Sequence, residues 1–249
     1  MTYFYIGLAV ACGALVQGAI GFAFGIFSIP LLVLIGLPLE HAITLVLGLV
    51  MVQTLVSVWQ HRAYIPWKDV ATISVPRFLT VAVGVWMLAV VRDRWSPVQI
   101  KQMIGAVLIL IIAVQIWIQP KPRATLHWGW ALLAGSASGI TAGLVGMGSP
   151  VVVLWAMAHD WTNQRSRTLM WCAFALMVPW QLALAYHRFG SPVLFSALLG
   201  LAYSPLVIIT TMLGTQLGNR LSQNHLRLAA YTVLVGVGVV NLIGPAFQH

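Results

Sequence analysis

Apolar residues follow one another along almost the whole chain and are interrupted only by short polar stretches. A stretch of about 20 apolar residues is long enough to cross the hydrocarbon core of a bilayer as a helix. The pattern predicts an all-α membrane protein with no sizeable soluble domain. It predicts eight hydrophobic segments, at residues 2–39, 42–60, 70–91, 102–119, 128–158, 168–186, 189–219 and 228–247.

The eight segments divide into two sets of four that share small motifs. We predict a first membrane repeat at residues 1–120, a basic, proline-containing link at 121–127 and a second membrane repeat at 128–249. The sequence HRAYIP at 61–66 returns as HRFGSP at 187–192, after the second segment of each set. Such duplication is common in secondary transporters, whose substrates bind between the repeats near the bilayer midplane.

The first segment of each set is rich in glycine and contains a proline, Pro30 in one and Pro150 in the other. Residues 3–37 as one helix would extend about 52 Å, well beyond the hydrocarbon core. Glycine permits unwound backbone, which survives in a bilayer only inside protein or beside a watery cavity. We therefore predict broken helices or helical hairpins whose free N–H groups bind an anion; the alternative is close helix packing through glycine. The predicted binding residues are Gly18, Gly21, Phe22, Gly25, Gly139, Gly143, Gly146, Gly148 and Ser149.

These glycine-rich segments, their repetition after four segments and the HR-to-proline motif resemble the sulfite exporter TauE/SafE family over nearly the whole chain. The resemblance implies a multi-pass carrier in the bacterial inner membrane for small sulfur-containing anions such as sulfite or organosulfonates. That family often has consecutive glycines before the proline. Here residues 22–24 interrupt the first copy, and Met147 and Ser149 interrupt the second, so the sequence does not specify the anion.

Composition supports the membrane assignment. Hydrophobic residues make up 60% of the 249 residues and charged residues only 7%, unlike a soluble domain. The formal charge of +9 is spread over short loops, so it indicates contact with lipid headgroups and membrane topology, and we expect no nucleic-acid partner. Cys12 and Cys172 lie far apart in apolar runs, and we expect no metal site and no cofactor.

Arg77 is a basic residue deep inside an apolar segment. A guanidinium there must face protein or water, and its planar fork suits two oxygens of a sulfite or sulfonate group. The alternative is a structural bond to a backbone carbonyl near Pro76. Gln17, Gln53 and Gln181 also lie within spans, where an amide either bonds a neighbouring helix or lines a cavity.

Two pairs of an acidic residue and a histidine occupy matched positions shortly after Pro30 and Pro150. The pairs are Glu40 with His41, and His159 with Asp160. Because such groups can titrate near physiological pH, we predict that they are candidates for coupling transport to protons. The alternative is that they complete helix ends.

Positive charges distinguish two topologies. If all eight segments cross the membrane once, the repeats are parallel and the Lys and Arg residues of the loops divide five against seven. If the first segment of each repeat is a re-entrant hairpin, the repeats are inverted and the division is four against eight. Because cytoplasmic loops are enriched in Lys and Arg, we expect inverted repeats, with the 121–127 link in the cytoplasm and both termini outside it.

These features together predict a secondary transporter of a small sulfur-containing anion that works by alternating access between its two repeats. A carrier for another small anion, such as a carboxylate, stays open, and so does a membrane scaffold without transport. We do not expect an enzyme or a primary pump, because no serine stands in a triad-like spacing with His and an acid, and no GxxxxGK[ST] motif is present. The oligomeric state is not specified.

Overall fold

The structure is a computed structural model that describes residues 2–20, 24–118, 120–220 and 223–243. Within these ranges the regular structure is helical, apart from one isolated bridge between Arg123 and His159. A short 3₁₀ helix at Arg62–Tyr64 separates the third and fourth α-helices. The α-helices are α1 (Thr2–Ile20), α2 (Phe24–Leu34), α3 (Leu39–Gln60), α4 (Trp67–Arg94), α5 (Pro97–Trp117), α6 (Trp128–Val145), α7 (Ser149–Met157), α8 (Asn163–Phe189), α9 (Pro192–Ala202), α10 (Ser204–Arg220) and α11 (Gln223–Ile243).

Each helix overlaps mainly with one of the predicted hydrophobic segments, and the first, fifth and seventh segments each correspond to two helices. In the described part of the chain five helices are long and apolar enough to cross a membrane, namely α3, α4, α5, α6 and α8. Helices α9 and α10 meet at a bend of 50° and would form a sixth span if they cross together. The length and composition of the helices are therefore those of a multi-pass, all-α membrane protein.

Helix α4 runs alongside α8 in the same direction. Near the first turns of both helices, Arg165 donates to Asp69 over 2.6 Å. At their last turns, Arg188 donates to Asp93 over 3.4 Å. Because one ion pair joins each end, these two helices are held together over their whole length.

Helix α6 also packs against α4 in the same direction, through glycines that bring the two backbones together. Gly135 faces Ile73, and Gly143, two turns later, faces Val81. Helices approach this closely where small residues line the contact. Since α6 and α8 both run parallel to α4, the chain must return to its starting end between α6 and α8.

Helices α6 and α7 form the hairpin that makes this return. The amide of Arg123, before α6, donates to the carbonyl of Ala158, after α7, over 3.0 Å. The amide of Asp160 donates to the carbonyl of Arg123 over 3.0 Å. Both ends of the hairpin therefore lie at one end of the bundle. We call this end, which holds the 121–127 link, the link side.

Helices α1 and α2 also pack against each other. Ser28 of α2 lies against Gly13 of α1, so the chain reverses its direction between them. The predicted site residues Gly21 and Phe22 fall between these helices and lie outside the described residues. The first segment is thus a pair of antiparallel helices on either side of its glycine cluster.

Each of the main helix contacts has a counterpart in which the first and second halves of the chain change roles. Helix α1 runs parallel to α10, as shown by the contacts of Gly7 with Tyr203 and of Gly218 with Ala19, just as α6 runs parallel to α4. Helix α3 packs against α9 as α8 packs against α4, and α5 pairs with α11. Each half therefore supplies a hairpin that packs against a long segment of the other half.

Candidate functional site

A cavity of about 460 Å³ lies between the two halves, lined by residues of both hairpins and of α3, α8 and α10. Its lining reaches Gln60, at the end of α3, and Arg167, near the start of α8. The cavity therefore extends towards the link side. Its volume lies in the range typical of small-molecule sites.

The tip of the α6–α7 hairpin forms part of the cavity wall. Helix α6 ends at Val145, the following Gly146 has a left-handed φ of 72°, and α7 begins at Ser149. Ser138 donates to the carbonyl of Gly148 over 2.6 Å and so fixes the turn against α6. Gly146, Gly148 and Ser149 all line the cavity. The break predicted in the second glycine cluster is present, and it lies at the cavity.

The other predicted glycines fall into two groups. Gly18 and Gly25 line the cavity from the first half, although a side chain at Gly18 would also overlap the carbonyl of Thr211 on α10. Gly139 and Gly143 are not among the lining residues, because the face of α6 that carries them packs against α4. Spacing alone could not separate these glycines, since which helix face meets a neighbour depends on the tertiary packing.

Arg77 lies at the cavity with only 2% of its surface exposed. Its Nη1 donates to the carbonyl of Ala173 over 3.4 Å, and its Cζ lies 4.8 Å from the centre of the Phe174 ring. Its Nε is buried without a hydrogen-bond partner. A buried guanidinium donor without an acceptor is unfavourable, so this position suits an anion.

The charge of the cavity has one sign. Its described lining contains two arginines, Arg77 and Arg167, and no carboxylate. Arg167 is exposed and makes no hydrogen bond or ion pair with the described residues, whereas Arg165, two residues earlier on another face of α8, is paired with Asp69. Sequence reasoning assigned Arg167 only to a charged loop, because its direction depends on how α8 packs.

All three span glutamines line the cavity. Gln181 donates to the carbonyl of Ala142 over 2.7 Å, so its amide joins α8 to α6. Gln53 donates to the hydroxyl of Thr211 over 3.4 Å. The Oε1 atoms of Gln17 and Gln53 are buried without a partner. Both roles considered for these amides, interhelical bonding and cavity lining, therefore occur.

The first acid–histidine pair lies outside the cavity lining. Glu40 is buried and receives a bond from Nε of Arg92 over 3.1 Å. Nδ1 of His41 lies 2.7 Å from Oγ of Ser196 on α9. Both residues therefore connect the start of α3 to neighbouring helices, at the end of the bundle opposite the link side.

The second acid–histidine pair lies at the link side, also outside the cavity lining. Nδ1 of His159 is 2.9 Å from the carbonyl oxygen of Trp155, and its ring stacks on Trp161 with centroids 3.9 Å apart. The backbone of Asp160 pairs with Arg123 at the foot of the hairpin. Among the described residues, no group of three His, Cys, Asp or Glu side chains is placed to hold a metal ion.

The family model for the sulfite exporter TauE/SafE matches residues 5–240, which is nearly the whole chain. The matched range includes both hairpins, Arg77 and every residue that lines the cavity. No curated protein and no solved structure matches the chain.

Proposed function

The chain belongs to the sulfite exporter TauE/SafE family, and we propose that it is a secondary carrier of small sulfur-containing anions in the bacterial inner membrane. The observation that carries this proposal is the buried, unpartnered Nε of Arg77 at a cavity lined by both halves and by no described carboxylate. Hydrogen bonds from a guanidinium to an anion are among the strongest in proteins. Ser149, at the start of α7, also lines the cavity, and its hydroxyl offers a further contact to the same anion.

We propose further that the two halves are inverted repeats. Helices α3 and α8 are the second segments of their halves. Glu40, at the start of α3, pairs with Arg92 at the end of α4, whereas Arg165, at the start of α8, pairs with Asp69 at the start of α4. These contacts support opposite directions for α3 and α8. With both hairpins re-entrant, eight of the 13 Lys and Arg residues belong to the link side, which is then cytoplasmic.

In this proposal the cavity is open towards the cytoplasm. The opposite side is closed by the Glu40–Arg92 pair and by Arg92 lying 5.3 Å from the centre of the Phe189 ring. Alternating access requires that these contacts separate when the cavity opens to the other side. The hairpins then move relative to α4 and α10, as in other carriers built from internal repeats.

We propose protons as the coupling ion, with Glu40, His41, His159 and Asp160 as the candidate groups. Glu40 supports this best, because protonation would remove its charge from the ion pair that closes the outer side. The double variant Glu40→Gln, Asp160→Asn tests the proposal in proteoliposomes. We expect its uptake to lose dependence on an imposed proton gradient; uptake that still follows the gradient contradicts proton coupling through these carboxylates.

The substrate class is tested by a binding screen on the purified protein, followed by flux in proteoliposomes. Sulfite, thiosulfate, ethanesulfonate, sulfate and propanoate are compared by the rise in unfolding temperature that each causes. We expect a sulfur-containing anion to stabilise most and to be transported. Preferential binding of propanoate would favour a carboxylate carrier, and the absence of flux with every anion would favour a scaffold.

A further inference from the structure

The wall of the cavity formed by α1, α3 and α10 differs in chemistry from the part that holds Arg77. It carries no charged side chain in its described residues, but it is lined by amides and hydroxyls. Apart from Gln60 at the link-side end of α3, the polar residues of this wall are Gln17 on α1, Gln53, Thr54 and Ser57 on α3, and Thr211 and Thr215 on α10. We call these six residues the neutral wall.

Three hydroxyl groups of the neutral wall already donate their protons within their own helices. Thr54 donates to the carbonyl of Val50 over 2.8 Å, and Ser57 donates to the carbonyl of Gln53 over 2.8 Å. Thr215 donates to the carbonyl of Thr211 over 2.9 Å. A hydroxyl has one proton and two lone pairs, so these three groups can only accept a hydrogen bond from a ligand.

Two carbonyl oxygens add to this acceptor character. The amide of Gln53 gives its N–H to Thr211, and its Oε1 is buried without a donor. The Oε1 of Gln17 is likewise buried without a donor. A buried acceptor without a partner is unfavourable, so a ligand group that supplies an O–H would bind here favourably.

We propose that the neutral wall is an acceptor subsite that binds a hydroxyl group of the substrate while Arg77 binds its anionic group. The preferred substrate is then a small organic anion that carries a neutral hydroxyl, such as a hydroxyalkanesulfonate. An ammonium group could also donate, but it would add a positive charge to a cavity that already holds Arg77 and Arg167. This inference rests on the proposed function, because it assumes that the cavity binds the transported anion.

The test compares three sulfonates of equal chain length on the purified full-length protein. These probes are 2-hydroxyethanesulfonate, ethanesulfonate and 2-aminoethanesulfonate, with dissociation constants measured by titration calorimetry. One added hydrogen bond predicts that the hydroxy compound binds about threefold to tenfold more tightly than ethanesulfonate. The amino compound should bind no better than ethanesulfonate. Equal affinity of the hydroxy and unsubstituted compounds, measured on the unaltered protein, overturns the proposal.

Substitutions in the neutral wall test whether this wall causes the tighter binding of the hydroxy compound. Gln53→Met and Gln17→Met keep the side-chain volume and remove the amide, so each should reduce the ratio between the affinities for 2-hydroxyethanesulfonate and ethanesulfonate. Gln115→Met is the matched control, because Gln115 on α5 is not a lining residue and contacts Tyr231. A preference that survives in the double variant Gln17→Met, Gln53→Met contradicts the assignment.

A second pair of ligands separates this inference from the sulfur-anion proposal. 3-Hydroxypropanoate and propanoate differ by the same hydroxyl on a carboxylate. If only the carboxylates bind and the hydroxy compound binds more tightly, the acceptor subsite stands while the sulfur-anion function fails. If the sulfonates bind without a hydroxyl preference, the function stands and the subsite fails. If neither pair binds, the subsite is overturned, and the sulfur-anion function is decided by sulfite and thiosulfate in the binding screen.

Discussion

The Nε atom of Arg92 lies 3.1 Å from Oε1 of Glu40, which joins the last turn of α4 to the first turn of α3. The other two ion pairs among the described residues, Arg165–Asp69 and Arg188–Asp93, both join α4 to α8. Helices α4 and α8 are therefore tied at both ends. The Glu40–Arg92 pair is instead a contact across the side that must open if the protein alternates access.

A double-mutant cycle measures this pair. We expect Glu40→Gln and Arg92→Gln each to lower the unfolding temperature by a few degrees, with a coupling energy of about 0.5–1 kcal/mol because Arg92 is largely exposed. Thermal unfolding of the purified variants gives the coupling. Arg94→Gln, at an exposed neighbour without a partner among the described residues, is the control and should change little. Additive effects of the two substitutions would show that the pair does not couple the helices.

Both charged residues of the Glu40–Arg92 pair can be read from the sequence, but their contact cannot be predicted from it. The position of Glu40 beside His41 and the charge of Arg92 are visible in the sequence, yet their meeting depends on the tertiary packing that brings the start of α3 to the end of α4. Arg77 could be identified because an arginine within an apolar span is costly wherever it faces lipid. The glycines could not be separated, since Gly143 packs against α4 whereas Gly146 lies at the cavity.

Replacement of Arg77 tests the anion contact directly. Arg77→Gln removes the charge and the planar fork, so we expect anion binding about tenfold to hundredfold weaker, as is typical for loss of a charged hydrogen bond. Arg77→Lys should recover only part of the affinity, because an ammonium cannot bind two oxygens in the same plane. Binding isotherms with ethanesulfonate give these values, and Arg94→Gln serves as the control. Unchanged affinity in Arg77→Gln would assign Arg77 a purely structural role.

The backbone hydrogen bonds of Arg123 with Ala158 and Asp160 join the two ends of the α6–α7 hairpin. They predict that the residues before α6 and after α7 lie on the same side of the membrane. Cys12 and Cys172 are first replaced by alanine, and single cysteines are then introduced as Thr125→Cys, Gln164→Cys and Val98→Cys, all at exposed positions. We expect the first two to be shielded in intact cells from a membrane-impermeant maleimide, and the third to react. Labelling of Thr125→Cys and Gln164→Cys from opposite sides would mean that the α6–α7 segment crosses the membrane once.

Close packing of α4 and α6 predicts a strong effect of a small side chain. A Cβ at Gly84 would lie 2.8 Å from Cα of Gly143 and overlap the carbonyl of Ile140, so Gly84→Ala must separate the two helices. We expect a destabilisation of about 1–3 kcal/mol. Gly236→Ala is the control, since nothing lies within 4 Å of a Cβ there, and it should be neutral or slightly stabilising. Equal thermal stability of both variants would contradict this packing.

Two glycines with positive φ allow the effect of backbone strain to be distinguished from the effect of packing. Gly146 and Gly36 both have positive φ, 72° and 100°, so alanine is unfavourable at either position by about 1–2 kcal/mol. At Gly146 the new Cβ would also overlap Ile29 and lie 3.0 Å from Cγ1 of Ile43, whereas at Gly36 it meets nothing within 4 Å. Gly146→Ala should therefore lower the unfolding temperature more than Gly36→Ala and also weaken anion binding, because the turn lines the cavity. If Gly146→Ala lost stability but bound ethanesulfonate normally, the hairpin tip would be a packing element and the anion would have to be held by Arg77 and the other walls.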